Sequence, residues 1–323
     1  MSSKPHEMPT LPGASERLGP VIQRVDALVG NTPVVRLDRL GLPDGASIFV
    51  KLEQLNPSGS IRDRYVSEIL HRSMDAGQMM RGDQVALSGL DDSAVSAAFF
   101  GSLLGLGVHV FIPKSSNPRL LQMVQRYGAK IVWTPEDEGI RGAIAQAVAW
   151  SRGGDNRFYI AGFRRQAVRD AYAGISSEIL ESMKGRRLGA FVSSVSTGGT
   201  FREVSRHLRD THPTLQVAGA VLIDVAFDKL GASDRDVLQR VTMQQAWAAR
   251  DMIASKQGLL LSPKGAACVH MALQMQPTLS PDVSIVCINP DAGQRYLGWE
   301  QRALYTPHTD ISSVVLSGHA SSS

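Results

Sequence analysis

The sequence predicts an α/β fold with two domains, in which mostly parallel sheets are flanked by helices. Short apolar runs alternate with helical patterns of about 10 to 15 residues, which is typical of α/β units. The runs at 107–112 and 283–288 are apolar almost throughout, as expected for strands with both faces buried. The segment Gly153-Gly154-Asp155-Asn156 interrupts this pattern midway, and 323 residues of 43% hydrophobic content are enough for two cores.

The predicted elements begin with an apolar run that ends at 51–53. A turn at 56–60 follows, and an amphipathic helix begins after it with Ser60 as the expected N-cap. Further strands are predicted at 107–112, 129–133, 158–160, 190–193, 216–222 and 283–288. Helices are predicted at 120–127, 140–150 and 172–183, where apolar residues recur at helical spacing.

The domain boundary is expected between residues 155 and 162. An N-terminal α/β domain would span 19–160, with residues 20–50 crossing to the other sheet, and a C-terminal α/β domain would span 161–306. Residues 1–18 and 307–323 are rich in proline, serine or glycine and are predicted to be flexible tails.

Charge and composition limit the classes of function that this protein can have. There are 34 basic and 30 acidic residues without a run of one sign, so no nucleic-acid footprint is present. No apolar stretch reaches membrane-spanning length, and the N-terminus lacks a signal-peptide core. Cys268 and Cys287 lie in apolar segments without metal spacing, which favours buried thiols in a reducing compartment. We therefore expect a cytoplasmic protein without a metal site.

Four segments carry a family resemblance, and their order along the chain matters as much as their residues. They are Gly30-Asn31-Thr32-Pro33, Asn56-Pro57-Ser58-Gly59-Ser60-Ile61-Arg62-Asp63-Arg64, Ser196-Thr197-Gly198-Gly199-Thr200 and Pro290-Asp291-Ala292-Gly293-Gln294-Arg295-Tyr296. Together they resemble the fold-type II pyridoxal-phosphate enzymes, such as cysteine synthase and cystathionine beta-synthase. The resemblance implies a tryptophan synthase beta-like fold, a pyridoxal phosphate cofactor, amino-acid metabolism and a homodimer.

The segment 196–200 makes physical sense as an anion site. A predicted strand runs into it and a predicted helix leaves it, so the first free N–H groups of that helix would face a ligand. Gly198 and Gly199 let the backbone approach closely, while Ser196, Thr197 and Thr200 add hydroxyl donors. The resemblance assigns this segment to the cofactor phosphate. A tight turn without a ligand is the alternative.

Arg62 is the most consequential departure from the family pattern. The family has Asn-Pro-x-x-Ser-Val-Lys-Asp-Arg here, and the resemblance implies that its lysine holds the cofactor as an imine. A guanidinium stays protonated and cannot form that bond. Arg62 would instead grip a carboxylate or phosphate through paired hydrogen bonds, or form a structural ion pair near Asp63; both alternatives are open.

The segment 87–93 also departs from the family pattern. Ser88-Gly89 matches the family's substrate-carboxylate segment, but Leu90 or Asp92 takes the place of an asparagine that contacts the cofactor ring. Asp91-Asp92 brings negative charge that would repel an anionic amino acid, or simply stabilises a helix N-terminus. Ser88, Gly89, Asp92 and Arg62 are the candidate substrate-binding residues.

Two further departures lie later in the chain. The segment 224–240 is short and charged and contains only one glycine, where the family has a Gly-Ile-Gly run. Pro263 stands where cysteine synthases have a serine that meets the ring nitrogen, although Ser262 still offers a hydroxyl nearby. Lys264 is a candidate replacement amine, but a lysine at a helix start is usually solvated.

These departures map to one inferred pocket. They predict a non-catalytic or reprogrammed relative of cysteine synthase that binds a small anionic ligand, an amino acid or a pathway partner protein, with no covalently bound cofactor. The alternative is an active beta-replacement or beta-elimination enzyme on O-acetylserine, serine or a related amino acid, which would bind pyridoxal phosphate without a lysine link or through Lys264. A third hypothesis, an enzyme of another class that reuses the cleft, has no base or nucleophile to name.

Overall fold

The computed structural model describes residues 22–42, 44–113, 118–160, 165–196, 198–222 and 236–298. Within these ranges the strands are β1 (Val34–Arg36), β2 (Ser47–Leu52), β3 (Gln84–Ser88), β4 (Gly107–Pro113), β5 (Lys130–Thr134), β6 (Arg157–Tyr159), β7 (Arg187–Ser194), β8 (Gln216–Val221), β9 (Asp236–Arg240) and β10 (Val283–Asn289). The helices are α1 (Arg62–Asp75), α2 (Asp92–Leu104), α3 (Pro118–Arg126), α4 (Gly139–Ser151), α5 (Arg165–Ser182), α6 (Gly199–Thr211), α7 (Met243–Gln257) and α8 (Pro263–Met275).

The strands form two sheets, as the sequence predicts. One has six strands in the order β1-β2-β10-β7-β8-β9, and the other has four in the order β5-β4-β3-β6. All pairs in the four-stranded sheet are parallel, and in the six-stranded sheet only β1 runs antiparallel to its neighbour β2. The predicted two-domain α/β fold with mostly parallel sheets is confirmed.

The hydrophobic core lies on the faces of both sheets. Every residue of β10 is buried, because this strand lies inside the six-stranded sheet between β2 and β7 and helices cover it. One large cluster joins α1, α2, α5 and α6 to both sheets, and a second lies under α7 and α8 on the other face of the six-stranded sheet. Each fully buried aliphatic side chain in these clusters contributes about 1.5–3 kcal/mol by leaving water.

The start of α1 differs from the prediction. The helix begins at Arg62, and its N-cap is Ile61 rather than Ser60. The Ser60 hydroxyl still accepts a hydrogen bond from the Arg62 backbone N–H at 3.2 Å. The backbone of Ser60 instead forms an isolated antiparallel bridge with Asp291, and the N–H of Ile61 donates to the carbonyl of Pro290 at 2.7 Å. These contacts hold the turn at 56–61 against the segment after β10, which moves the start of the helix.

A buried charged network fixes α1 against β2 and α5. Arg64 donates to Glu53 at 2.7 Å and to Glu178 at 2.8 Å, and the ammonium of Lys51 lies 2.5 Å from Glu178. Thr32 donates its hydroxyl to Glu53 at 2.7 Å. Buried charges are tolerated when each has a partner. The network therefore orients the first turn of α1, which carries Arg62.

Three further predictions concern the two cysteines, membrane-spanning segments and metal-binding groups. Cys268 and Cys287 are both free and buried, as their apolar surroundings indicate. No helix in the described ranges is long and apolar enough to cross a membrane. The same residues contain no group of His, Cys, Asp and Glu side chains suited to a metal ion.

Candidate functional site

Arg62 is the first residue of α1, and its guanidinium lies near two tyrosine side chains. Its Nη1 lies 3.4 Å from the Tyr172 hydroxyl, and its guanidinium lies 5.8 Å from the centre of the Tyr65 ring. Burial acts to lower the pKa of Arg62, but the nearby tyrosines and Asp91 and Asp92 raise it overall. Arg62 thus stays cationic, and within the described part of the chain no carboxylate forms an ion pair with it.

Asp63 does not pair with Arg62. Its carboxylate accepts hydrogen bonds from the Ser58 backbone N–H at 2.6 Å and from the Ser96 hydroxyl at 2.5 Å, and the Ser58 hydroxyl also donates to it. Burial raises the pKa of Asp63, and these donors oppose that shift. The structural ion pair considered for Arg62 is therefore not formed, because Asp63 holds the preceding turn instead.

The segment 196–200 joins β7 to α6. Gly198 is the N-cap of α6 and has φ of +78°, a left-handed conformation that favours glycine. The first helical N–H groups, from Gly199 onward, lack intrahelical acceptors and carry the positive end of the helix dipole. Thr197 lies outside the described residues, so the predicted hydroxyl donors within them are Ser196 and Thr200.

Tyr172 of α5 lies between Arg62 and this segment. An ideal Cβ placed on Gly199 would lie 3.9 Å from Cε2 of the Tyr172 ring, while the hydroxyl of the same ring reaches Arg62. Tyr172 is buried and packs edge-on against Tyr65, with ring centres 6.3 Å apart. The structure thus brings two predicted elements, Arg62 and the glycine segment, to one place on either side of a tyrosine.

Asp91 and Asp92 begin α2 as predicted for a helix N-terminal charge pair. Asp91 is the N-cap and accepts from the Ser93 N–H at 2.9 Å. Asp92 is buried and accepts from Arg295, whose other terminal nitrogen donates to the carbonyl of Ser58. Burial, followed by the negative charge of Asp291, raises the pKa of Asp92 to about 7.

Asp291 completes this acidic pair from the segment after β10. Its side chain is buried, and the Tyr296 hydroxyl donates to its Oδ2. Burial acts to raise the pKa of Asp291, but Lys264 and the hydrogen bond with Asp92 lower it overall. The candidate amine Lys264 is thus an electrostatic partner of these carboxylates.

Ser88 and Gly89, at the end of β3, both have internal hydrogen-bond partners. The Ser88 hydroxyl lies 2.7 Å from the Tyr159 hydroxyl. The Gly89 N–H donates to the carbonyl of Phe111 at 2.9 Å, and Gly89 has φ of +87°. The Gly89 N–H is therefore already used within the four-stranded sheet.

Two more of the predicted residues lie at the start of α8. Pro263 is its first residue and Ser262 is its N-cap, whose hydroxyl accepts from the Gly265 N–H at 3.2 Å. The Ser262 hydroxyl also donates to Oδ1 of Asn289 at 3.3 Å. The segment 224–240 departs from the family pattern. Only its residues 236–240, which form β9, lie within the described residues.

Sequence reasoning missed three residues that shape this site. Tyr172 was seen only as part of a helix pattern, since nothing in its neighbours marks it as polar or functional. Asp291 and Arg295 stand in a quoted motif, but their contacts with Asp92 join positions about 200 residues apart, which spacing alone does not reveal. The buried pairing of Lys51, Glu53 and Arg64 with Glu178 was missed for the same reason.

Comparisons with known proteins agree with the fold. A family model described as "Pyridoxal-phosphate dependent enzyme" matches residues 25–234. An O-acetylserine dependent cystathionine beta-synthase of Bacillus subtilis (strain 168) is 27% identical over 297 residues, which cover 86% of this chain and 96% of that protein.

Two solved structures share the architecture. A crystal structure of O-ureido-L-serine synthase superposes with a TM-score of 0.80 at 23% identity, covering 92% of this chain and all of that one. The O-acetylserine dependent cystathionine beta-synthase of Helicobacter pylori gives a TM-score of 0.76 at 22% identity, covering 86% of this chain and 98% of that one. With the family model spanning more than half of the sequence, this chain belongs to the family of pyridoxal-phosphate dependent enzymes.

Proposed function

We propose that this protein is a non-catalytic or reprogrammed member of the family that binds a small anionic ligand in its cleft, without a covalent bond to pyridoxal phosphate. One observation carries the proposal. Arg62 presents a guanidinium with which no carboxylate forms an ion pair within the described residues, and it shares Tyr172 with the N-terminus of α6. The guanidinium of Arg62 and the N-terminus of α6 lie on either side of Tyr172, and both favour the binding of an anion between them.

Pyridoxal phosphate, the cofactor of the family, needs hydrogen-bond donors for its phosphate, an amine for its aldehyde and hydrogen-bond partners for its ring. The backbone at Gly198, with its left-handed conformation, and the free N–H groups that begin α6 suit the phosphate. Arg62, which we place at the position of the family's lysine, supplies no amine. The Ser262 hydroxyl is committed to Gly265 and Asn289, and Asp92 is committed to Arg295. The residues thus fit a phosphate or carboxylate better than they fit the whole cofactor.

Other lysines do not replace the missing amine in this proposal. Lys264 interacts electrostatically with Asp92 and Asp291, and an ammonium group must lose its proton before it can attack an aldehyde. Burial lowers the pKa of Lys51, but its ammonium is fully buried and bonded to Glu178 and to the carbonyl of Thr32. Removing Lys51 from that position would leave charged partners buried without compensation.

We expect the binding protein to be cytoplasmic and, as the resemblance implies, a homodimer. A pathway partner protein is a second kind of ligand that the same proposal allows. The competing function is beta-replacement or beta-elimination on O-acetylserine or serine with noncovalent pyridoxal phosphate. The observation in its favour is the 27% identity to an O-acetylserine dependent cystathionine beta-synthase.

Purified protein distinguishes the two functions. We expect sulfate and phosphate to raise the midpoint of thermal unfolding, since a ligand of the folded state stabilises it by mass action. After treatment with pyridoxal phosphate and borohydride, we expect peptide mass spectrometry to find no adduct on a residue of the proposed site. A trapped adduct on any cleft residue would overturn the proposal, and turnover of O-acetylserine with pyridoxal phosphate would establish the competing function.

A further inference from the structure

Three arginines from α5 and α6 surround one buried glutamate. Glu203 lies one turn into α6, and only 5% of the residue is exposed. From the same helix, Nε of Arg202 lies 3.3 Å from its Oε1, and Nε of Arg206 lies 3.5 Å from its Oε2. From α5, Nε of Arg169 lies 3.7 Å from Oε2. These four residues form the arginine cluster, in which three guanidinium groups share one carboxylate.

The positive charge of the arginine cluster exceeds what Glu203 neutralises. Within the described part of the chain, no other carboxylate forms an ion pair with Arg169, Arg202 or Arg206. Asp170, the neighbour of Arg169 in sequence, pairs with Arg72 of α1 at 2.8 Å instead. Three guanidinium groups and one carboxylate therefore leave a surplus of two positive charges at this place on the surface.

The arginines of the cluster are accessible, although the glutamate that they share is not. About half of each arginine side chain is exposed, against 6% of the Glu203 side chain. In each pair the atom that approaches Glu203 is Nε, the inner nitrogen of the guanidinium. The terminal amino groups lie farther out along these half-exposed side chains, so a ligand that approaches from solvent can reach them.

The contacts with Glu203 leave hydrogen-bonding capacity in the arginines. Oε2 of Glu203 is buried and accepts no hydrogen bond within the described residues, because Arg169 and Arg206 lie beyond hydrogen-bond distance from it. These two pairs are thus held by charge, and the buried carboxylate offsets the repulsion among the three guanidinium groups. Glu203 keeps the arginines together without using their donors, which suits a site that waits for a stronger acceptor.

The compactness of the cluster favours a phosphate monoester as that acceptor. All three guanidinium groups approach one carboxylate, so they are close enough to one another to contact a single small group. A phosphate monoester carries a charge of about −1.5 to −2 on three acceptor oxygens and pairs with the planar fork of arginine through parallel hydrogen bonds. Its charge matches the surplus of the cluster, whereas a carboxylate supplies only one negative charge.

The surroundings of the cluster do not extend it into a track for a nucleic-acid backbone. The next arginine of α6, Arg209, lies 2.6 Å from Asp236, and the exposed Asp210 follows it. Small-molecule sites are concave and bury most of their ligand, whereas these arginines stand half exposed on two neighbouring helices. Clusters of arginine recur in the recognition of phosphorylated segments of proteins. The observations thus favour one phosphate group carried by a segment of another protein.

We propose that the arginine cluster of α5 and α6 binds a phosphorylated serine or threonine residue in a segment of a partner protein. This surface is separate from the anion site proposed at Arg62, and it goes beyond that function because it names a kind of partner and the side chains that hold it. The two proposals do not depend on each other.

Fluorescence polarisation with short labelled peptides tests the proposal on the full chain. The probe is a peptide of glycine, alanine and serine with one phosphoserine, and its two counterparts carry serine or glutamate at that position. The buffer contains chloride but no sulfate or phosphate. We expect the phosphopeptide to bind at least about tenfold more tightly than the serine peptide, with the glutamate peptide between them, because hydrogen bonds between charged groups are the stronger ones.

The variant that tests the cluster combines Arg202→Gln with Arg206→Gln, and it should weaken phosphopeptide binding by about tenfold or more. The matched control combines Arg36→Gln with Arg126→Gln, two exposed arginines of β1 and α3, and should keep the affinity of wild type within about twofold. Arg169→Gln is a second variant if the double variant does not fold, since it leaves Glu203 two partners.

A charge-conserving variant separates specific recognition from general attraction. Arg202→Lys combined with Arg206→Lys keeps the charge but removes the planar fork, so we expect an intermediate loss of affinity. Full affinity in this lysine variant would overturn the recognition of phosphate by paired hydrogen bonds. Equal affinity for the phosphoserine and serine peptides, or equal losses in the cluster variant and its control, would overturn the site.

Two further outcomes distinguish this inference from its neighbours. An RNA oligonucleotide that binds more tightly than the phosphopeptide and is lost in the same variants would identify a surface for nucleic acid and overturn the proposal. Arg62→Ala should bind the phosphopeptide as wild type does. Loss of binding in Arg62→Ala with retention in the cluster variant would place the phosphate in the cleft, which would overturn this inference and leave the proposed function standing.

Discussion

The Tyr172 hydroxyl lies 3.4 Å from Nη1 of Arg62, while the ring that carries it packs against Gly199 at the start of α6. Tyr172 thereby joins the first residue of α1 to the first residue of α6, about 140 residues later in the chain. It gives Arg62 a neutral hydrogen-bond partner, so the positive charge of the guanidinium remains available to a ligand.

Replacement of Arg62 by alanine is expected to weaken sulfate binding by about tenfold to a hundredfold. The reason is that a charge-assisted hydrogen bond contributes about 1.5–3 kcal/mol. Titration calorimetry of the two proteins measures this change. The matched control is Arg187→Ala, which removes an arginine paired with Asp282 at the surface and should leave the affinity as in wild type. Equal affinities of wild type and Arg62→Ala would exclude Arg62 from the anion site.

Tyr172→Phe keeps the ring and removes only the hydroxyl that Arg62 contacts. We expect a loss of affinity of about twofold to tenfold, since one long neutral hydrogen bond contributes about 0.5–1.5 kcal/mol. Chemical denaturation should show little change in unfolding free energy, because the buried ring still packs on Tyr65 and Gly199. A larger effect on stability than on affinity would show that Tyr172 serves the core rather than the position of Arg62.

Gly198→Ala tests the loop backbone. Gly198 has φ of +78°, and an alanine there costs about 1–2 kcal/mol or forces the loop to shift. We expect a lower unfolding free energy and weaker sulfate binding together. Gly185→Ala is the matched control, since Gly185 has φ of +74° with no atom near its Cβ position and lies between α5 and β7. That control should lose similar stability and keep its affinity.

Glu178→Gln tests the buried network under α1. The pKa of Glu178 is lowered to about 2, because Arg64 and Lys51 overcome the opposing effect of burial. A lowered pKa gives stability that is present above the unfolded-state pKa of about 4.3 and is lost as the pH falls through about 2. Denaturation between those values should show wild type losing about 3 kcal/mol relative to Glu178→Gln. Parallel curves would mean that folding does not lower the pKa of Glu178.

The variant has a second expected effect at neutral pH. Removing the charge of Glu178 leaves Lys51 and Arg64 with fewer acceptors in a buried setting, which costs about 3–5 kcal/mol. Glu181→Gln, which removes an exposed glutamate of the same helix paired with Lys184, should stay within about 0.5 kcal/mol of wild type.

Local signals predicted most of the fold. Seven of the ten described strands were expected from apolar runs and differ from the predicted bounds by a few residues at most, whereas β1, β3 and β9 were not predicted. The helix α5 begins earlier than predicted, at Arg165, because charged residues in its first turns hide the apolar spacing. The prediction of Ser60 as the N-cap was wrong. The backbone of Ser60 pairs with Asp291, and this long-range pairing outweighed the local preference of serine for the N-cap.

The sequence by itself determined the α/β class, the glycine turn before α6 and the presence of an arginine that can form no imine, because each depends on residue type and near neighbours. Only the tertiary structure decided what those residues contact. It turned Asp63 away from Arg62 and set Tyr172 beside Arg62. It also buried Asp92 against Arg295. The physical reason is that pairing of charges and burial depend on distances in space, which the order of residues along the chain does not fix.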